Sequence, residues 1–91
     1  LRDTVANQII DELLTVAKAG EQTSALKLGK TYTALLVAPD YQSAYIWLSI
    51  AQAYGLESAS ELLSKVADEL TVEEILVQQE QASTTFSEIN S

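Results

Sequence analysis

Apolar positions along the chain recur at helical rather than strand spacing from one end to the other. Residues 4–19 place Ile9, Ile10, Leu13, Leu14, Val16 and Ala17 on one face and Asn7, Gln8, Asp11, Glu12, Thr15 and Lys18 on the other. Asp3 or Thr4 suits the N-cap, and Gly20 stands where a left-handed residue ends a helix. A second helix is expected from about Thr23 to Leu36, with Ala25, Leu28, Tyr32 and Leu35 or Leu36 facing inward. Pro39 then disfavours helical geometry at Ala38, and Asp40 can cap the next helix.

That next stretch, residues 40–55, organises the rest. No charge occurs between Asp40 and Glu57, and Tyr41, Ala44, Tyr45, Ile46, Trp47, Leu48, Ile50, Ala51 and Tyr54 cover most of the helical circumference. A helix apolar nearly all round needs neighbours on several sides. The segment is shorter and more polar than the roughly 20 apolar residues a membrane span requires, so it reads as a core helix. Gly55 ends it. Two more helices are expected behind apparent capping boxes, Ser58 with Glu61 and Thr71 with Glu74. The first carries Ala59, Leu62, Leu63, Val66, Ala67 and Leu70 on one stripe; the second is shorter and carries Val72, Ile75, Leu76, Gln79 and Ala82, with Phe86 one turn on. The last residues, 87–91, have little to bury and are expected to fray.

About five helices joined by short connections predict an all-α chain of antiparallel helical hairpins, in a bundle or a repeat array. At an offset of 34 residues, Ala25, Leu28 and Tyr32 align with Ala59, Leu62 and Val66, and Ile10, Leu13 and Ala17 with Ala44, Trp47 and Ala51. Thirty-four residues is the tetratricopeptide period. The segment from Ala25 to Gly55 resembles a Sel-one-like repeat, a tetratricopeptide relative made of two antiparallel helices. Ala25, Leu28, Gly29, Tyr32, Asp40, Ala44, Trp47, Ala51 and Gly55 carry the resemblance. Gly29 and Ala44 would allow close backbone approach, Tyr32 and Trp47 would fill the space between helices, Ala51 would admit the next helix, and Asp40 would cap.

The resemblance implies a right-handed superhelical array. It divides the chain into a preceding helix (1–22), a repeat-like hairpin (23–55), a C-terminal capping hairpin (56–86) and a frayed tail (87–91). It also implies scaffold or adaptor work, often in bacterial envelope, secretion or signalling systems. The chain departs from the family in two places: TALLVAP lacks the usual loop glycine, and Gln52 replaces an alanine.

Composition narrows the chemistry. The 91 residues suit one small domain with a modest core. Neither cysteine nor histidine is present, which removes disulfides, thiolate ligands and the commonest general base. The net charge is −8, and residues 57–91 hold eight acids against Lys65 alone. Such a half repels phosphate backbones and anionic lipid surfaces, so no nucleic acid is expected as partner, and a charge-guided partner is a basic protein or peptide. The chain begins with Leu1 and shows no targeting segment, which reads as a processed form or an excised fragment, cytoplasmic or periplasmic.

The carboxylate pairs Asp11–Glu12, Asp68–Glu69 and Glu73–Glu74 are neighbours on helices and point about 100° apart, which suits a solvated face better than a shared acid–base site. The stretch Asp68 to Glu74 lacks the spaced, glycine-containing loop of a dedicated calcium site. No catalytic, cofactor-binding or metal-ligating set is therefore expected. Tyr41 and Tyr45, one turn apart, either pack on the helix of residues 4–19 or line a peptide groove, and with Glu73 and Glu74 they form the candidate partner surface. The expected function is a non-enzymatic protein–protein interaction or scaffold module. The alternative is a self-associating helical domain pairing through Ile9, Ile10, Leu13 and Leu14.

Overall fold

The computed structural model describes residues 2–91, with side chains from residue 3 onward. It is all-helical, with no strand among the described residues: α1 (Arg2–Lys18), α2 (Gln22–Ala34), α3 (Tyr41–Ala53), α4 (Glu57–Ala67) and α5 (Val72–Ile89). Leu1, assigned above to the preceding helix, lies outside the described residues.

Helix α3 is the hub. Its main contacts run to α2, α4 and α5, while α1 rests chiefly on α2. Two buried clusters meet on it, as an almost charge-free helix demands. In one, Trp47, Ile50 and Ala51 pack with Ile10 and Ala17 of α1, Ala25 and Leu28 of α2, Ala59 of α4 and Ala82 of α5. In the other, Ala44, Tyr45 and Leu48 pack with Val66, bordered by Leu62, Leu63 and Ile75. Gly29 of α2 faces Leu48, and a Cβ there would run into the Leu48 side chain, so the missing side chain sets how closely α2 and α3 approach.

The connections explain where the helices start and stop. Gly20 and Gly55 have φ of +102° and +85°, which L side chains rarely adopt. Around Gly55, the Gly55 and Leu56 N–H groups donate to the Gln52 and Ala51 carbonyls at 2.9 and 3.1 Å, a Schellman closure. Leu56, turned into the core, then serves directly as the N-cap of α4. This overturns the capping box expected at Ser58 and Glu61: the three-residue joint of Tyr54, Gly55 and Leu56 starts α4 at Glu57, and no side chain caps it. The same device at Gly20 makes Glu21 the N-cap of α2, which starts at Gln22, one residue before the expected start.

Asp40 caps α3 as expected, its carboxylate accepting the Ser43 N–H at 3.0 Å and the Ser43 hydroxyl at 2.7 Å. The box at Thr71 and Glu74 is formed on both sides. Asp3 is not an N-cap; it sits inside the first turn of α1, and its carboxylate accepts the Val37 N–H at 3.0 Å. Helix α2 ends at Ala34 rather than near Leu36, because the loop folds back to place the Asp40 N–H on the Tyr32 carbonyl at 3.0 Å. Leu36 then packs on the core and Leu35 stays exposed.

Two faces differ from the sequence reading. Val16 is exposed, because the buried line of α1 runs through Ala6, Ile10 and Ala17 and leaves its neighbour on the flank. Helix α5 is longer than expected and rotated. Its inner face is Ile75, Gln78, Ala82, Phe86 and Ile89, while Val72 and Leu76 face outward at 70% and 59% exposure. The Phe86 and Ile89 contacts with the core carry the helix through residues expected to fray, and Asn90 closes it with its N–H on the Phe86 carbonyl.

Candidate functional site

The four residues expected at a partner surface lie where α3 meets α5, and the structure separates them into two kinds. Tyr45 is buried at 6% exposure, and its hydroxyl accepts the Gln79 amide at 3.2 Å. Tyr41 is half-buried beside the same cluster. The partners in that cluster come from α2, α4, α5 and Leu70, with none from α1, so the expected packing of these tyrosines on the first helix does not occur. Glu73 is exposed.

Glu74 is tied down. One carboxylate oxygen accepts the Thr71 N–H at 2.8 Å and the other accepts the Gln42 amide at 2.7 Å, while Gln78 donates to Gln42 at 3.5 Å. These bonds, the Thr71 backbone one first, hold the Glu74 carboxyl below the usual range. The network also explains the turn of α5. Gln78 is buried with a polar partner, so its position on the inner face costs little, and Leu76 is carried outward.

The result is a surface that the sequence reading did not single out. Val72, Leu76 and Val77 are exposed at 70%, 59% and 54%, and Glu73 and Glu80 stand between and beyond them. No lysine or arginine occurs from residue 66 to 91. Among the described residues the one ion pair is Lys65–Glu61 at 4.0 Å, exposed on α4 and worth little. The available signal was the period: Glu73, Leu76, Val77 and Glu80 are spaced as one face of a helix.

Two other features bound the choice. A groove of ≈ 360 Å³ between α4 and α5, floored by α3, is lined by Tyr45, Gln52, Leu63, Gln79 and Phe86 among others and carries no charged side chain. An apolar hollow of ≈ 300 Å³ is formed by Val5, Ala6, Ile9 and Leu35. Among the described residues no three acidic side chains converge to hold a metal ion, and no helix is long and apolar enough to cross a membrane.

The residues of the repeat-like pattern are found inside or at turns. Ala25, Leu28, Ala44 and Ala51 are at most 1% exposed, Trp47 and Gly29 are buried, Tyr32 is half-buried, Asp40 caps and Gly55 turns. Burial, and then the nearby Asp40 and Asp11 charges, push the Tyr32 hydroxyl pKa up. These positions define an all-α protein of five helices around a buried third one. No family model matches the chain, and neither a curated protein nor a solved structure matches it significantly.

Acid should loosen this fold through two carboxylates. Glu21 is pushed down to about 2 by the hydroxyls of Ser24 and Thr23, and Glu74 is lowered by Thr71 and Gln42. A depressed carboxyl stabilises fully above its unfolded pKa, about 4.3, and loses that contribution as pH falls through the folded value. Melting temperature is therefore expected to fall between about pH 4.3 and pH 2. Glu21→Gln and Glu74→Gln should each make that fall shallower, and an unchanged slope in both would contradict the assignment.

Proposed function

We propose that this chain is a non-enzymatic protein–protein interaction module, a helical-hairpin array of Sel-one-like or tetratricopeptide-like type that presents a helix face to a partner. The observation that carries the reading is the outer side of α5, where exposed Val72, Leu76 and Val77 share a face with carboxylates that have no neighbouring base in sequence. Exposed apolar residues grouped on a helix mark interaction surfaces more often than scattered ones do. The buried α3, with Gly29 and Ala44 at its contact with α2, supplies the rigid backing such a surface needs.

The test is site-specific photo-cross-linking in cells, with a benzophenone side chain placed at Leu76, Val5 or Lys27. A discrete cross-linked protein from Leu76 is expected, with none from Lys27. Cross-links from Val5 alone would keep the module and move its surface, and no cross-link from any position would overturn it.

A second reading, self-association, rests on the hollow of Val5, Ala6, Ile9 and Leu35. Its expected interface is narrower than the one drawn from sequence, because Ile10 is buried and Leu13 and Leu14 pack against the core of the same chain. Light scattering over a concentration range reads it directly. A dimer that Leu35→Ser converts to monomer would support it, and a monomer at every concentration would remove it.

A further inference from the structure

We propose that the outward face of α5 seats a basic amphipathic helix of a partner protein, with Glu73 and Glu80 holding cationic side chains on either side of an apolar step made by Leu76 and Val77. The proposal rests on the interaction reading above and names its partner chemistry. Residues 73, 76, 77 and 80 are spaced three, one and three apart and all are exposed, whereas Ile75, Gln78 and Ala82 turn the opposite side inward. The two carboxylates are two helical turns apart, roughly 10 Å along the axis. A partner helix with bases at the same two-turn spacing and a pair of apolar residues between them matches this face in both charge and shape, as flanking charges and a central apolar seam do in paired helices.

The surroundings select the sign of the partner. Asp68 and Glu69 precede the face, and no base follows Lys65 in the sequence. Beside Val77 a shallow hollow of ≈ 260 Å³, bordered by Gln42, Glu73, Glu74 and Gln78, can take the end of one side chain. At its edge Gln42 donates to Glu74 at 2.7 Å and accepts from Gln78 at 3.5 Å.

A second copy of this chain fits the face poorly. Of its bases whose side chains are described, Lys27 and Lys30 on α2 have no exposed large apolar residue between them, and Lys18 and Lys65 stand on other helices. An anionic surface, whether lipid or nucleic acid, is repelled by eight acids against one base.

The probe is a synthetic capped peptide with the pattern Lys-x-x-Leu-Leu-x-x-Lys on an alanine and glutamine background, titrated into isotope-labelled protein by NMR and measured for affinity at low and high salt. Shift changes are expected on the outward residues of α5 and on Gln42, with affinity falling as salt rises. A Glu73→Lys, Glu80→Lys double variant, its helicity confirmed by circular dichroism, should bind about tenfold more weakly at low salt. A peptide with Glu in place of Lys should bind that variant and not the native chain. The milder Glu73→Gln, Glu80→Gln pair should lose affinity without gaining the reversed peptide.

Shifts confined to α1 and α2, equal affinity for a neutral Gln peptide, or no binding at all would overturn the proposal. Cross-linking from Leu76 to a partner segment that carries no bases would overturn it while leaving the interaction reading in place.

Discussion

Trp47→Ala is expected to cost about 3–5 kcal/mol of folding stability, the range for emptying a large buried aromatic site. Trp47 is 5% exposed in the cluster that draws side chains from all five helices, so none of them can close the void without leaving another contact. A domain of this size holds roughly 5–14 kcal/mol in total, so the variant sits near the edge of folding at physiological temperature. Urea unfolding followed by far-ultraviolet circular dichroism measures it, because the substitution removes the single tryptophan that fluorescence would report. A loss below about 1 kcal/mol would mean that the site collapses, and that α3 is not the rigid hub described above.

Gly29→Val should also have a large effect, about 3 kcal/mol, and for the opposite reason. An added Cβ meets Leu48, which is 1% exposed and has no room to withdraw, so α2 must move away from α3. The gain in helix propensity from replacing glycine, at most about 1 kcal/mol, is too small to offset this. Because both partners share one site, the effects are not additive. Leu48→Ala alone should cost about 2–5 kcal/mol by leaving a cavity. In the double variant the introduced valine side chain occupies part of that cavity, and the measured loss should be clearly smaller than the two single losses together. A simply additive result would show that the two positions do not touch.

Much of this architecture was legible in the chain, and the reasons it was or was not are local. The role of α3 could be read because burial on several sides leaves a charge-free stretch, and residues 41–56 have no charge at all. Asp40, Gly20, Gly55 and the Thr71–Glu74 box were readable because their interactions close within a few residues. The start of α4 was not, because the Ser58–Glu61 pattern is real in the sequence but loses to a chain reversal in which Leu56 ends one helix and begins the next.

The orientation of α5 was misread for a long-range reason. A polar Gln78 is buried and an apolar Leu76 is not, and this follows from Gln42, 36 residues earlier, which supplies the amide partner. Apolar periodicity counts residue types and has no access to such a partner. The same limit applies to Tyr45, since tyrosine suits a core and an interface equally until the donor from Gln79 is known. Of the residues expected at a partner surface, Glu73 is exposed and Tyr45 is buried, and Leu76 and Val77 stand exposed on the same helix as Glu73.

The order of helix contacts has a consequence for how the chain acquires its shape. Each main pairing joins helices adjacent in sequence or, for α3 and α5, separated by one other. Little entropy is spent in closing the intervening loops, and chains whose contacts are local in this way fold within milliseconds or faster. During synthesis α1 and α2 can dock as soon as both have emerged, and α3 can join them. Two open sides of α3 then wait for α4 and α5, so the hub stays open to premature association until both have docked.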